Sequence, residues 1–314
     1  MSFEFLFGSM GIGLIYALVS LGVFISFRLL DFPDLTADAS FPLGGAICGL
    51  CIYIGIDPWI ATLLGMFVGC LAGAMTGLLY VKLNILQLLS SIIVMIGLYS
   101  INLRILGIGP YVMNETTRLA GSPNLSLLGQ NTIFSPFISD DFSNQYIVQP
   151  IMILGFVIVF WMLLNVFLNT QKGLALRATG TNPRMAKSQG IPTDGITILG
   201  MAISNGLIAL GGSLFVQTQG SADITIGVGT IVIGLASIIL GESIFPTKRI
   251  WAVMLSVIFG SILYRLFIAF ALSNELLQDI GVGTEDLNLI TAILVVLALV
   301  LPKQLKKFSK KRGK

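Results

Sequence analysis

From Ile147 to Leu168 the chain carries no charged side chain. A helix crossing the roughly 30 Å hydrocarbon core of a bilayer needs about 20 apolar residues, and this run supplies them. Comparable runs lie near 5–27, 41–55, 58–82, 86–104, 195–216, 224–241, 249–272 and 287–302. The pattern predicts an all-α membrane protein of about nine spans (eight to ten). Composition agrees: 11% of residues are charged, 55% are hydrophobic and the mean hydropathy is +0.93. A soluble domain carries about 25% charged residues. So few charges cannot coat a water-soluble core, which sets aside soluble enzymes and nucleic-acid binders. The first run has only Glu4 ahead of it and continues into Phe27-Arg28 without a small-residue cleavage site, so it reads as a span and not a signal peptide.

Histidine is absent. That removes Ser-His-Asp and Cys-His nucleophile pairs, His-ligated zinc and histidine proton relays. Cys48, Cys51 and Cys70 lie in apolar stretches and read as small packing residues, not as a metal site or disulfide framework. No Asp-Asp or Ser-Lys pair has a spacing that suggests intramembrane catalysis. The expectation is no enzyme, no catalytic residue, no metal and no cofactor.

Orientation follows from the basic residues. With the tail Lys303 to Lys314 placed in the cytoplasm, alternating the spans leaves only Arg104 and Arg118 outside, and Arg265 within a span, of the 18 Lys and Arg. Glu115, Asp140, Asp141, Glu275, Asp279, Glu285 and Asp286 collect in the external loops. The N-terminus is thus expected outside and the C-terminus inside. An anionic inner leaflet explains the basic tail more simply than nucleic acid does. The organisation is one transmembrane domain over 1–302, with an outer loop at 105–146, a cytoplasmic loop at 170–194 and a basic cytoplasmic tail at 303–314.

Residues 28–42 break the pattern, with Asp31, Asp34, Asp38 and two prolines ahead of an apolar run too short to cross alone. A discontinuous second helix resolves this, since irregular backbone at membrane depth is tolerated where protein or a water-filled cavity supplies hydrogen bonds. Gly13-Leu14-Ile15-Tyr16-Ala17-Leu18 returns loosely as Gly206-Leu207-Ile208-Ala209-Leu210. Each is followed by a polar stretch, Asp34-Leu35-Thr36 and then Asp223-Ile224-Thr225. The copies are either an inverted-topology repeat or a chance match between apolar segments. Gly65, Gly69, Gly73 and Gly77 recur every four residues in the third span, a small-residue face for close helix contact.

The cytoplasmic stretch around 172–191 is the most informative. Asn182 is a good N-cap, Pro183 fits the first helical position and Gly190 suits a left-handed stop, predicting a short helix over 184–189. Further helical turns over 174–179 precede it. Met185 and Ala186 offer small apolar contacts among Arg177, Arg184 and Lys187. The element either docks in a groove on a separate protein or is a well-capped basic loop.

Arg177-Ala178, Gly180, Asn182-Pro183, Ala186 and Gly190-Ile191, followed by a Gly- and Ala-rich span, resemble the coupling loop of ABC-importer permeases of the branched-chain amino-acid type. Gly13-Leu14-Ile15-Tyr16-Ala17-Leu18 resembles that family's first span. The segment from Phe27-Arg28 through Asp31-Phe32-Pro33-Asp34-Leu35-Thr36 to Ser40-Phe41-Pro42 is closer to a subgroup described as tryptophan/tyrosine permeases or permeases of uncharacterised substrate. In branched-chain permeases proper that stretch reads more like Asn-Phe-Ala-His-Gly. The resemblance implies the transmembrane subunit of an importer in the bacterial cytoplasmic (inner) membrane, working as a homodimer. It further implies that an extracytoplasmic substrate-binding protein delivers a small organic solute of the amino-acid kind, aromatic ones included, and that a cytosolic ABC ATPase drives import. This chain has no Gly-x-x-x-x-Gly-Lys-Ser/Thr loop with which to cradle ATP itself.

The residues expected to couple to the ATPase are Arg177, Ala178, Gly180, Asn182, Pro183, Met185, Ala186 and Gly190. Those expected along the pathway are Asp31, Asp34, Asp38, Ser40, Asn205 and Asp223. The aspartates cost about 2.5–3.5 kcal/mol each at the bilayer centre, so they either line the pathway or cap helices at an interface. The rival reading is a secondary transporter or channel without an ATPase. It predicts carboxylates needed for ion coupling and transport that survives substitution of the 177–190 loop.

Overall fold

The computed structural model describes residues 3–112, 121–137 and 142–272. The ninth run at 287–302, the tail at 303–314, Glu115, Arg118, Asp140, Asp141 and the acids from Glu275 to Asp286 lie outside them. The first helix, α1 (Phe3–Val23), continues as a π-helical turn over Phe24–Leu29. Then come α2 (Ala37–Tyr53), α3 (Pro58–Leu83), α4 (Gln87–Val112), β1 (Asn124–Ser126), a 3-10 turn at Ser135–Phe137 and α5 (Phe142–Leu168). The second half holds α6 (Gln171–Thr181), α7 (Pro183–Ser188), α8 (Thr193–Gln219), β2 (Ser221–Asp223), a 3-10 turn at Ile224–Gly227, α9 (Thr230–Ile244) and α10 (Ile250–Leu272).

Seven stretches among the described residues are long and apolar enough to cross a membrane: Leu6–Leu29, Pro58–Leu83, Gln87–Pro110, Ile147–Leu168, Thr193–Gln219, Ile224–Ile244 and Ile250–Phe270. The helix at Ala37–Tyr53 is shorter, as the 41–55 run suggested, and begins earlier. It tolerates Pro42 because that ring removes only the bond to the Asp38 carbonyl. Against that bare carbonyl packs Gly227, where any Cβ would collide with it and with the Pro42 ring. The loop expected over 105–146 is shorter, since α4 runs on to Val112 and α5 starts at Phe142. Its described part pairs β1 with β2 antiparallel, Leu125 opposite Ala222.

Helix ends follow local chemistry. The Asp57 carboxylate accepts from Trp59 N at 2.8 Å at the start of α3, with Pro58 at the first position. Asn84 ends that helix at φ 53°, a left-handed geometry that asparagine tolerates. Gly220 ends α8 at φ 70°.

Burial separates the helices into two kinds. The apolar windows of α1 and α8 are 83% and 72% buried, whereas that of α5 is 22%. So α1 and α8 form the axis of the bundle, and α3, α4 and α5 turn Leu63, Phe67, Ile96 and Leu163 outward. Lipid is as apolar as leucine, so helix association in membranes relies on close contact and hydrogen bonds. The glycine stripe supplies that contact: Gly65, Gly69, Gly73 and Gly77 lie against Ser213, Ala209, Met201 and Ile198 of α8 with no space for a side chain. Gly44 of α2 meets the Ala209 backbone from another side. One end of the bundle gathers Arg28, Lys248, α6 and α7, while the other gathers Ile56, Leu106, Leu125 and Ile224.

Candidate functional site

The segment expected to couple is two short helices meeting at Asn182. The Thr170 hydroxyl caps α6 by accepting from Gly173 N at 3.3 Å, and Asn182 Oδ1 caps α7 by accepting from Met185 N at 3.0 Å. Gly190 stops it at φ 79°. The helix over 184–189 is thus Pro183–Ser188, and the turns before it extend to the whole of α6. Ala186 is 3% exposed and faces the protein, while Met185 is 62% exposed beside the exposed Arg184 and Lys187. Arg177 is half-buried and Ala178 exposed.

Gly180 touches a different element. A Cβ there would strike the Leu29 carbonyl and come within 2.8 Å of Leu30 Cα. The segment therefore rests on the π-helical end of α1. The Leu30 side chain and Leu176 of α6 both press on Gly200 of α8, where an added Cβ would lie 2.6 Å from Leu30 and 2.8 Å from Leu176. Asp31 follows at φ 53°, exposed and reversing the chain. Arg28 pairs with Glu242, Nε to Oε1 at 3.1 Å, and not with Asp31.

Four residues beyond Leu30 the chain reaches a polar knot at the start of α2. Asp34 is fully buried. Its Oδ1 accepts from Thr36 N at 3.0 Å, and its Oδ2 accepts from Asn205 Nδ2 at 2.6 Å. Ser40 donates to Asn205 Oδ1 at 2.7 Å, so one amide on α8 serves both residues. Thr36 shares a hydrogen bond with Thr76 of α3 at 2.8 Å. Asn102 of α4 donates to the Ala39 carbonyl at 3.2 Å, and its buried Oδ1 has no partner among the described residues. Asp38 reaches the other way and caps α9, accepting from Ile231 N at 2.8 Å and Gly229 N at 3.4 Å. Four helices thus hold the first turn of α2. Asp223 stands apart, accepting from Thr225 N and the Thr225 hydroxyl, each at 2.7 Å.

The structure brings Asp34, Ser40 and Asn205 into contact, with Asp38 one turn along, and leaves Asp31 and Asp223 outside the knot. Thr36 and Thr76 did not stand out in the sequence as site residues. Thr76 sits on the same helix face as Gly69 and Gly73, and that stripe was the one signal for it. The Leu29–Gly180 contact left no sequence signal beyond the glycine itself.

A cavity of about 510 Å³ opens beside α6 and α7, lined by Phe32, Tyr80, Asn84, Gln87, Thr193 and Asp194. Phe32 and Tyr80 meet edge to face at 5.3 Å. Tyr80 lies one turn from Thr76, so this ring pair separates the cavity from the knot.

Buried polar clamps across a bundle of long apolar helices, with two short capped helices at one end, are the build of a polytopic membrane protein. Residues 5–301 match the family model described as "Branched-chain amino acid transport system / permease component", and the chain belongs to that family. It is 40% identical to a tyrosine transport system permease protein of Clostridioides difficile, over 90% of this chain and 86% of that one. It is 32% identical to the uncharacterized protein RP368 of Rickettsia prowazekii, over 89% and 91%. A ribose import permease protein of Escherichia coli is 22% identical over 85% and 76%. The protein is an ABC-type transport permease for small solutes, and the tyrosine and ribose relatives are transport permeases, not enzymes.

Proposed function

We propose that the chain is the membrane subunit of an ABC importer for an aromatic amino acid of the tyrosine class. An extracytoplasmic binding protein delivers the solute, a cytosolic ATPase drives import, and two copies of the permease work together in the cytoplasmic membrane. The 40% identity to a tyrosine transport permease, over nearly the full length of both chains, supports the solute class. Residues 1–302 act as one transmembrane domain of about nine spans with the N-terminus outside. The basic end of the bundle, holding Arg28, Lys248 and the coupling segment, is the cytoplasmic one. The inverted repeat draws support from local geometry: Asp34 accepts from Thr36 N, and Asp223 accepts from Thr225 N, in the same two-residue turn ahead of an interrupted helix.

The observation that carries the coupling role is Gly180 seated on the Leu29 backbone. The ATPase holds α7 by its outer face at Met185, and its movement passes through Gly180 to Leu29 and on to the α2 start. Asn182, Pro183 and Gly190 shape the element, Ala186 anchors it from beneath, and Arg177 and Ala178 flank the joint. In the pathway, Asp34, Ser40 and Asn205 act by holding α2 in register, since all three are fully buried here. Asp31, Asp38 and Asp223 mark the chain reversals around it. Only a difference in affinity between two conformations lets nucleotide shift the bundle.

The experiment is affinity purification of the tagged chain in mild detergent, wild type beside Met185→Glu. Co-purification of an ATPase with the wild type, lost in the folded variant, supports docking at α7. If no ATPase accompanies the wild type even after crosslinking, and transport survives Met185→Glu, the ATPase-free transporter takes its place.

A further inference from the structure

At the basic end of the bundle, between the end of α1, the α6 helix and the turn joining α9 to α10, lies a second cavity of about 540 Å³. Arg28, Leu29, Arg177, Glu242, Lys248 and Ile250 line it. Three cations face one carboxylate. Glu242 is taken by Arg28 Nε, whereas Arg177 and Lys248 have no acceptor among the described residues. Arg177 is half-buried and lines the cavity with no counter-ion among the described residues. A planar guanidinium beside further cations matches phosphate oxygens.

Adjoining this cavity, and sharing Pro246 and Thr247 with it, is an apolar groove of about 420 Å³ lined also by Ile244, Phe245, Leu255 and Phe259. Phe245 and Phe259 lie 5.9 Å apart and are 51% and 52% exposed. A cationic recess at the ends of three spans, continuous with an aromatic groove running along them, has the two-part chemistry of a phospholipid. A soluble polyanion would use the cations and leave the groove bare. We propose that this paired site binds an anionic phospholipid of the cytoplasmic leaflet, its phosphate held by Arg177, Lys248 and the free edge of Arg28, and an acyl chain laid against Phe245 and Phe259. Basic pockets between helices on that side of a membrane are suited to such headgroups. Because Arg177 belongs to α6, the bound lipid touches the coupling segment itself.

Native mass spectrometry of the purified full chain, titrated with phosphatidylglycerol and with phosphatidylcholine, tests this. Phosphatidylglycerol is expected to bind at least about tenfold more tightly. Arg177→Gln with Lys248→Gln removes that preference, Phe259→Ala weakens both lipids, and Lys82→Gln, a basic residue elsewhere, changes neither. Should the double variant fold poorly, Lys248→Glu alone at its exposed position must still abolish the preference. Equal binding of the two lipids, or a preference untouched by these variants, overturns the proposal. Displacement of phosphatidylglycerol by millimolar inorganic phosphate overturns it in favour of a free-anion site. Loss of ATPase co-purification in Lys248→Glu without any change in lipid binding overturns it in favour of a protein contact.

Discussion

The chain begins a helix twice from within the bundle, at Ala37 and at Thr230, and both approaches use an aspartate followed two residues later by a threonine. At Asp34 the turn is fully buried, and the second carboxylate oxygen is spent on Asn205 of a distant helix. At Asp223 the second bond goes to the hydroxyl of its own Thr225, and the residue sits at the end of a two-stranded ribbon. The same local motif is a tie between helices in one place and a self-contained turn in the other. What separates them is the neighbourhood: only where water is excluded must a polar group find its partners in the protein.

That contrast can be broken or sharpened in order of size. Asn205→Leu leaves Asp34 and Ser40 without their shared partner in the interior. The expected loss is about 3–5 kcal/mol, the range for stripping one side of a buried ionic or strongly polar pair. Denaturant unfolding in detergent measures it, and a loss below 1 kcal/mol would mean that water reaches the knot. Gly73→Val forces α3 off the Met201 backbone and is expected to cost about 1–3 kcal/mol by overpacking, read by thermal melting. Asp38→Ala uncaps α9 at a cost of about 0.5–2 kcal/mol, and Asp38→Asn is expected to fall between it and wild type, because the amide oxygen keeps the short bond from Ile231 N while the longer one from Gly229 N, made to the other carboxylate oxygen, is lost. Asp223→Asn, at the self-contained turn, is expected within about 0.5 kcal/mol of wild type, as asparagine and aspartate cap about equally well. If Asp223→Asn matched Asn205→Leu in effect, the distinction between tie and turn would fail.

The knot and the α7 helix differ in how far the sequence disclosed them. The α7 helix is readable because its determinants are local: a cap at Asn182, a proline beside it and a glycine at Gly190 act within a few residues. The knot was half-readable. Three aspartates in an interrupted apolar run announced irregular backbone, and Asn205 stood out as polar in a span, yet nothing in the order of residues says that an amide at 205 meets a carboxylate at 34. Glycines at every fourth position of α3 forecast a close contact without naming α8 as its partner. Met185 and Ala186 both read from the sequence as small apolar contacts. In the structure Met185 faces outward and Ala186 inward, and which side of α7 each takes is set by how the segment rests on α8, not by local residue order.

The seat of Gly180 on Leu29 has a mechanical consequence. Most contacts between elements pass through side chains, whose rotamers act as springs and absorb small displacements. Here main chain bears on main chain, with no rotor between them, so the joint has almost no backlash. A shift of α6 toward this turn meets the Leu29 carbonyl directly, and the chain from there reaches Asp34 within five residues. The joint also has no slack for mutation: every substitution at 180 adds atoms where the Leu29 carbonyl already stands, so the linkage can be jammed by a single methyl group but not finely retuned.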